Sequence, residues 1–160
     1  MAKQQRPGRF KYGLETVLKV RGIKEKKEQE TFSERQREYL TEKEKKEKIE
    51  AEKRQRSNEL RDLMKQGPAS VDRIIRRSAH LKKVAEDLET QAQKTVEANE
   101  KLDQQRTKLI GAMKDRKIIE KDKDKKHEGY KDMMKKMEMQ FIDELASLRF
   151  VHEKRESKGN

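Results

Sequence analysis

QGPAS, Gln66 to Ser70, is the stretch on which the fold turns. Gly67 suits the end of a helix, because a residue without a Cβ takes up the left-handed conformation at little steric cost. Pro68 has no amide hydrogen and its ring clashes with a preceding helical turn, so no helix runs straight through it. Ser70 can cap a second helix, and Asp72 then sits in the first turn, facing the positive end of the helix dipole. Apart from Pro7, Gly8 and Gly13 near the start, nothing else in the chain breaks a helix so firmly. Gly22, Gly111 and Gly129 each cost a helix about 1 kcal/mol relative to Ala, which a long helix tolerates.

What lies on either side of the break is helix-forming sequence. Only 30% of the 160 residues are hydrophobic, 4% are aromatic and there is no Trp. Such a chain cannot offset roughly 1–2 kcal/mol of conformational entropy per residue with a globular core. A long helical protein and a disordered one remain. Two prolines and seven glycines are few for disorder, while Lys, Glu, Arg, Gln and Leu dominate and all favour helix. The absence of cysteine removes disulfides and thiolate metal sites and fits a cytosolic protein. With no apolar signal-like segment in MAKQQRPGRFKYG and no run approaching about 20 apolar residues, a soluble, non-secreted chain is expected.

Each half was read for a seam with alternating steps of four and three. In the first, Leu14, Leu18, Arg21, Glu25, Glu28, Phe32, Arg35, Tyr39, Glu42, Lys46, Ile49, Lys53, Arg56, Leu60 and Leu63 keep register. Its apolar members gather at the two ends. The middle is supported instead by Glu42–Lys46, Glu44–Lys48, Glu50–Arg54 and Glu52–Arg56, all four residues apart. In the second half Ile74, Leu81, Ala85, Leu88, Ala92, Leu102, Leu109, Met113, Tyr130, Met134, Met137, Phe141 and Leu148 fall on one repeat of about 3.5 residues. Ser78, Thr95, Asn99, Arg106, Arg116, Glu120, Lys123, His127 and Glu144 interrupt it. The expected fold is all-α, a long antiparallel two-helix coiled coil. It comprises a flexible basic N-terminus at 1–9, helix 1 at about 10–65, the turn at 66–70, helix 2 at about 71–155 and a disordered tail at 156–160.

Reflection about Pro68 sets Leu14 opposite roughly residue 122. Residues from about 127 to 155 then have no partner on the first helix. They include the methionines of MMKKMEM, Met133 to Met139, and FIDELASLRF, Phe141 to Phe150, where six of ten residues are apolar. A methionine stripe is commonly core, so burial within the chain, against the N-terminal segment returning alongside, and burial on a partner are both open. The overhang tips the balance slightly towards a partner, whose adaptable groove flexible thioethers suit.

No phosphate-binding glycine loop, HExxH or cysteine nucleophile occurs, and His80, His127 and His152 are too far apart to share a metal on one helical face. The sequence therefore predicts no enzyme, no cofactor and no small-molecule substrate. The net charge is +12, which is compatible with nucleic acid, an anionic membrane or an acidic protein. Acids interleave with the bases and no aromatic platform accompanies them, which favours a solvated surface over nucleic acid. In FKYGLETVLKVRGI, Phe10, Leu14, Val17, Leu18 and Arg21 share one side of a helix, a face that suits the end of the seam better than a membrane surface.

The segments FKYGLETVLKVRGIKEKKEQE and KDRKIIEKDKDKKHEGYKDMMKKMEMQFIDELASLRF together resemble the FliJ family of flagellar type III export proteins. Phe10, Tyr12, Leu14, Val17 and Leu18 match the family's opening pattern, and Asp143, Glu144, Leu145 and Ala146 its Asp-Glu-Leu-Ala close; Gly13 departs from it. The resemblance implies a coiled coil like the central stalk of rotary ATPases, binding the ring of the FliI-type export ATPase, the export gate FlhA and export chaperones. It also implies a cytoplasmic position, associated with the inner membrane indirectly through the export apparatus. By that analogy Phe10, Leu14, Val17, Leu18, Met134, Met137, Phe141, Leu145 and Leu148 would meet the ATPase ring. Leu60, Leu63, Ile74 and Leu81, beside the turn, are candidates for the gate, although seam packing explains them equally. The stalk of a virulence-type secretion system, a basic coiled coil binding nucleic acid or acting as a scaffold, and a disordered linker are the alternatives.

Overall fold

The computed structural model describes residues 8–65, 67 and 71–156, without the side chains of 153–156. Two helices, α1 (Glu15–Met64) and α2 (Val71–Glu156), make up almost all of it, and no strand occurs among the described residues. They pack against each other as the expected antiparallel hairpin: Glu42 bonds to Gln91, and Glu28, earlier on α1, bonds to Gln105, later on α2. Of QGPAS only Gly67 lies within the described residues. Its φ of 89° is the left-handed conformation that a Cβ disfavours. The roles read for Pro68 and Ser70 lie outside the described residues. The last turn of α1 tightens as the Lys65 amide donates to the Asp62 carbonyl at 3.2 Å.

α1 begins at Glu15, not near residue 10. The Glu15 amide donates to the Tyr12 carbonyl at 3.2 Å, so the chain enters the helix through a turn, and Phe10 and Tyr12 lie ahead of it.

The chain divides into two compact units, Met1–Gly22 with Lys114–Asn160, and Ile23–Met113. In the Ile23–Met113 unit the seam of α1 follows the sequence reading closely. Glu25, Glu28, Phe32, Arg35, Tyr39, Glu42, Lys46, Ile49 and Lys53 are half-buried, and Leu60 and Leu63 are buried; only Arg56 gives way to its neighbour Ser57.

Within the same unit the seam of α2 departs from the reading by one residue in every heptad, whereas beyond it the read positions Arg116, Glu120, Lys123, Tyr130 and Met134 are half-buried. Val84, Gln91, Leu102, Gln105 and Ala112 are buried, with Leu81, Leu88, Thr95, Ala98 and Leu109 half-buried between them. The steps run three then four from Leu81, so 84, 91, 98, 105 and 112 replace 85, 92, 99, 106 and 113; Asn99, Arg106 and Met113 are exposed. Apolar content alone could not separate the two registers, since Ala85, Ala92 and Met113 support one and Val84, Ala98 and Ala112 the other. The glutamines decide it.

Gln91 Nε2 donates to the Glu42 carbonyl at 3.1 Å and to Glu42 Oε2 at 2.5 Å. Two heptads on, Gln105 Nε2 repeats the arrangement with the Glu28 carbonyl at 3.2 Å and Glu28 Oε2 at 2.5 Å. Each amide is thereby satisfied inside the seam, and no buried side-chain polar atom among the described residues lacks a partner. The register these two layers fix sets Ala98 across from Arg35, a small residue opposite a long one. Hydrogen bonds from Lys45 first, and from Gln91 second, hold the Glu42 carboxyl below its ordinary range.

The charged middle of α1 pairs differently from the expected set. Arg56–Glu52 forms at 3.5 Å, but Glu42 takes Lys45 at 2.6 Å and Glu50 takes Lys46 at 3.7 Å. These pairs are at least partly open to solvent and add little to stability.

Candidate partner-binding surface

The Met1–Gly22 and Lys114–Asn160 unit joins the segment before α1 to the second half of α2. Tyr12 anchors it. Its ring is only 8% exposed, and its hydroxyl lies 2.7 Å from Asp122 Oδ2 and 3.1 Å from the Ile119 carbonyl. The Lys126 ammonium sits 5.4 Å from the ring centroid and also pairs with Asp122 at 3.0 Å. Glu15 pairs with Lys123 at 2.7 Å and Arg21 with Asp115 at 2.5 Å. Two residues before Tyr12, Phe10 stacks obliquely on His127 at 4.9 Å and on Tyr130 at 5.5 Å between centroids. The Tyr130 hydroxyl then donates to the Gly8 carbonyl at 2.8 Å.

Burial first, and the hydrogen bond to Asp122 second, push the Tyr12 phenol from 10.0 to about 12. The same bond from Tyr12, followed by that from Lys126, lowers the Asp122 carboxyl. A phenol whose pKa is raised on folding adds stability that is complete below the unfolded pKa and vanishes as pH rises through the folded one. The tyrosinate absorbance that separates wild type from Tyr12→Phe is therefore expected near pH 12 in the folded chain and near pH 10 in urea. A folded-state difference already complete near pH 10 would mean that the hydroxyl stands in water.

This packing partners α2 further than simple reflection about Pro68 allows. His127 and Tyr130 are in ring contact with Phe10, so the unpartnered stretch starts beyond Tyr130 instead of at about residue 127. From there α2 continues to Glu156, with Met134 half-buried and every residue from 135 to 152 exposed. At about 100° per residue, Tyr130, Met134, Met137, Phe141, Leu145 and Leu148 fall within roughly 80° of one another on the helix. The line that receives Phe10 at Tyr130 thus runs on as an apolar stripe. Phe141 is 51% exposed and Leu148 67%. Exposed apolar side chains aligned in this way mark an interaction surface more than a monomer's ordinary exterior.

The expected ATPase-contact residues divide accordingly. Phe10 is brought to the head of the stripe, and Met134, Met137, Phe141, Leu145 and Leu148 form it. Leu14, just ahead of α1, and Val17 on it are exposed, while Leu18 is half-buried in the seam. Of the gate candidates, Leu60 and Leu63 are buried and Ile74 and Leu81 half-buried, all in the seam of the other unit. The sequence set Tyr130 on the repeat of the second helix and matched Tyr12 to the family's opening pattern, but it gave neither hydroxyl a partner. Their acceptors include the backbone carbonyls of Ile119 and Gly8, which no side-chain pattern encodes.

Among the described residues no group of His, Asp and Glu is arranged to hold a metal, and no helix is long and apolar enough to cross a membrane. The molecule is thus a helical hairpin whose second helix presents an uncovered apolar stripe. Its family is equally plain: the model of the flagellar FliJ protein family matches residues 10–155, and the chain belongs to that family. Its fold is similar to that of a YscO homologue from Chlamydia trachomatis, at 21% sequence identity and a TM-score of 0.57, over 92% of this chain and 99% of that one. No curated protein matches the sequence.

Proposed function

We propose that the protein is a non-enzymatic stalk of the flagellar type III export apparatus. It binds the ring of the export ATPase, promotes the ring's assembly or activity, and links it to the export gate FlhA. The observation that carries this reading is the apolar stripe from Met134 to Leu148, continuous with the Phe10–Tyr130 packing and uncovered by the chain itself. Membership of the FliJ family supports the type III export setting, and the family's flagellar character favours it over a virulence-type system. The mechanism involves no covalent step: the stripe enters a groove on the ATPase, and the enzyme's states differ in how well they hold it.

Binding to FlhA and to export chaperones rests on family membership. Seam packing accounts for Leu60, Leu63, Ile74 and Leu81, so any gate contact there involves residues beside them.

Mixing the protein with the export ATPase of its own organism is expected to raise hydrolysis or shift the enzyme towards its ring. Phe141→Ser with Leu145→Ser, which removes two anchors from an exposed stripe, is expected to weaken binding on the order of 100-fold while leaving helicity intact. Absence of any effect of the wild-type chain on an active ATPase would refute the proposal.

A further inference from the structure

Residues 53–83 hold ten Lys or Arg against three Asp or Glu, so this stretch carries +7 of the chain's net +12. The pairs that cross between the two helices here, Glu59 with Arg77 and Glu52 with His80, lie on one flank. Leu60 and Leu63 on α1, and Leu81 and Val84 on α2, mark the seam of the Ile23–Met113 unit. In an antiparallel pair, residues just before a seam position on either helix share one flank, and residues just after it share the other. Of the three acids in this stretch, Glu59 and Asp62 lie on the first flank, joined by Glu52 just ahead of the stretch. Asp72 lies two residues before Ile74, on neither flank, and pairs with Arg76. On the first flank Glu59 takes Arg77 at 2.7 Å, Glu52 approaches His80 at 3.8 Å and Asp62 takes Lys65 at 3.3 Å.

The second flank carries Arg54, Arg61 and Met64 from α1, and Val71, Ile75 and Lys82 from α2. It has no acid between residues 53 and 83. Arg54, Arg61 and Lys82 are exposed and make no ion pair among the described residues. Met64, Val71 and Ile75 are each more than half exposed. Unpaired cations and bare apolar side chains therefore occupy one face together.

We propose that this flank docks on an anionic phospholipid surface. Arg54, Arg61 and Lys82 would meet headgroup phosphates, the arginines through the planar fork that suits them. Met64, Val71 and Ile75 would lie at the boundary between headgroups and acyl chains. A nucleic acid would use the cations but leave the three apolar side chains idle, and residues 53–83 contain no aromatic on which bases could stack. A discrete acidic protein site would need only a few of these charges, whereas a sheet of anionic headgroups senses the whole excess. No described helix can cross a bilayer, so the contact is peripheral.

The test is co-sedimentation of the full chain with phosphatidylcholine vesicles, with and without phosphatidylglycerol. Binding is expected only where phosphatidylglycerol is present, and it should weaken as salt rises. Combining Arg54→Glu, Arg61→Glu and Lys82→Glu is expected to weaken it on the order of 100-fold or more. Combining Met64→Ser, Val71→Ser and Ile75→Ser should remove the part that survives high salt. Circular dichroism checks that both variants remain helical, and Arg9→Glu with Lys11→Glu and Lys19→Glu serves as a control expected to bind as wild type. No binding to phosphatidylglycerol vesicles overturns the proposal. So does binding that only the N-terminal control abolishes, or a charge-reversal variant that loses affinity for duplex DNA while keeping it for vesicles. These measurements need no ATPase, so their outcome is independent of the stalk reading.

Discussion

Deleting residues 133–160 is expected to leave a well-folded helical chain that no longer acts on the export ATPase. The deletion point follows from the packing of Phe10. His127 and Tyr130 hold that ring, with centroids 4.9 and 5.5 Å away, so a cut after about residue 126 would remove part of the intramolecular core together with the stripe. A cut after Asp132 keeps the Tyr12 and Tyr130 contacts and removes side chains that are exposed from 135 to 152. Little buried surface is lost, so the midpoint of urea unfolding should stay close to that of the full chain. Helicity should fall only by the share of helix deleted. Stimulation of the ATPase should disappear, because Met134, Met137, Phe141, Leu145 and Leu148 all go. The longer deletion, from residue 127 onwards, should lower the unfolding midpoint as well. Should the 1–132 chain unfold, residues 133–160 belong to the core; should it still stimulate, the ATPase contact lies elsewhere.

The hairpin could be read from the sequence because its determinants are local: a glycine and a proline between two long runs without other breakers. The seam of α1 was equally open, since Leu18, Phe32, Tyr39, Ile49, Leu60 and Leu63 fix its phase from both ends, although Leu14 stays exposed ahead of the helix. The stripe on α2 was visible for the same reason, as Met134, Met137, Phe141 and Leu148 continue a simple repeat.

What was hidden depends on the partner helix of the hairpin. Gln91 and Gln105 look like surface residues until Glu42 and Glu28 are placed opposite, each offering a carboxylate and a carbonyl. Without them the seam of α2 drifts by one residue onto Ala85, Ala92 and Met113. The opening segment was hidden for another reason. Phe10 and Leu14 are four apart and suggest one face of a helix. In the structure Phe10 and Tyr12 instead leave the helical path before Glu15 and lay both rings on α2. There, burial and backbone carbonyls decide the outcome, and spacing carries no information about either.

The glutamine layers make a second large effect predictable. Changing Gln91→Glu together with Gln105→Glu is expected to lower Tm at neutral pH by on the order of 10 °C. Each new carboxylate would stand where an amide now donates to Glu42 Oε2 or Glu28 Oε2 at 2.5 Å. Two carboxylates that close cannot both stay ionised without separating the helices, so one of each pair is driven to hold a proton. The raised pKa means that the variant should gain stability as pH falls, because a shared proton restores the lost hydrogen bond. The wild type should behave in the opposite sense. Glu42 is lowered from 4.5 by Lys45 and Gln91, so its contribution is full above that value and is lost as pH falls through the depressed one. Thermal unfolding followed by circular dichroism from pH 7 downwards should therefore give two profiles that converge. Gln91→Leu with Gln105→Leu removes the donors without adding charge, so that variant should lack the gain at low pH. If the Gln→Glu variant matches wild type at pH 7, the glutamates have turned to solvent and the layers do not fix the register of the hairpin.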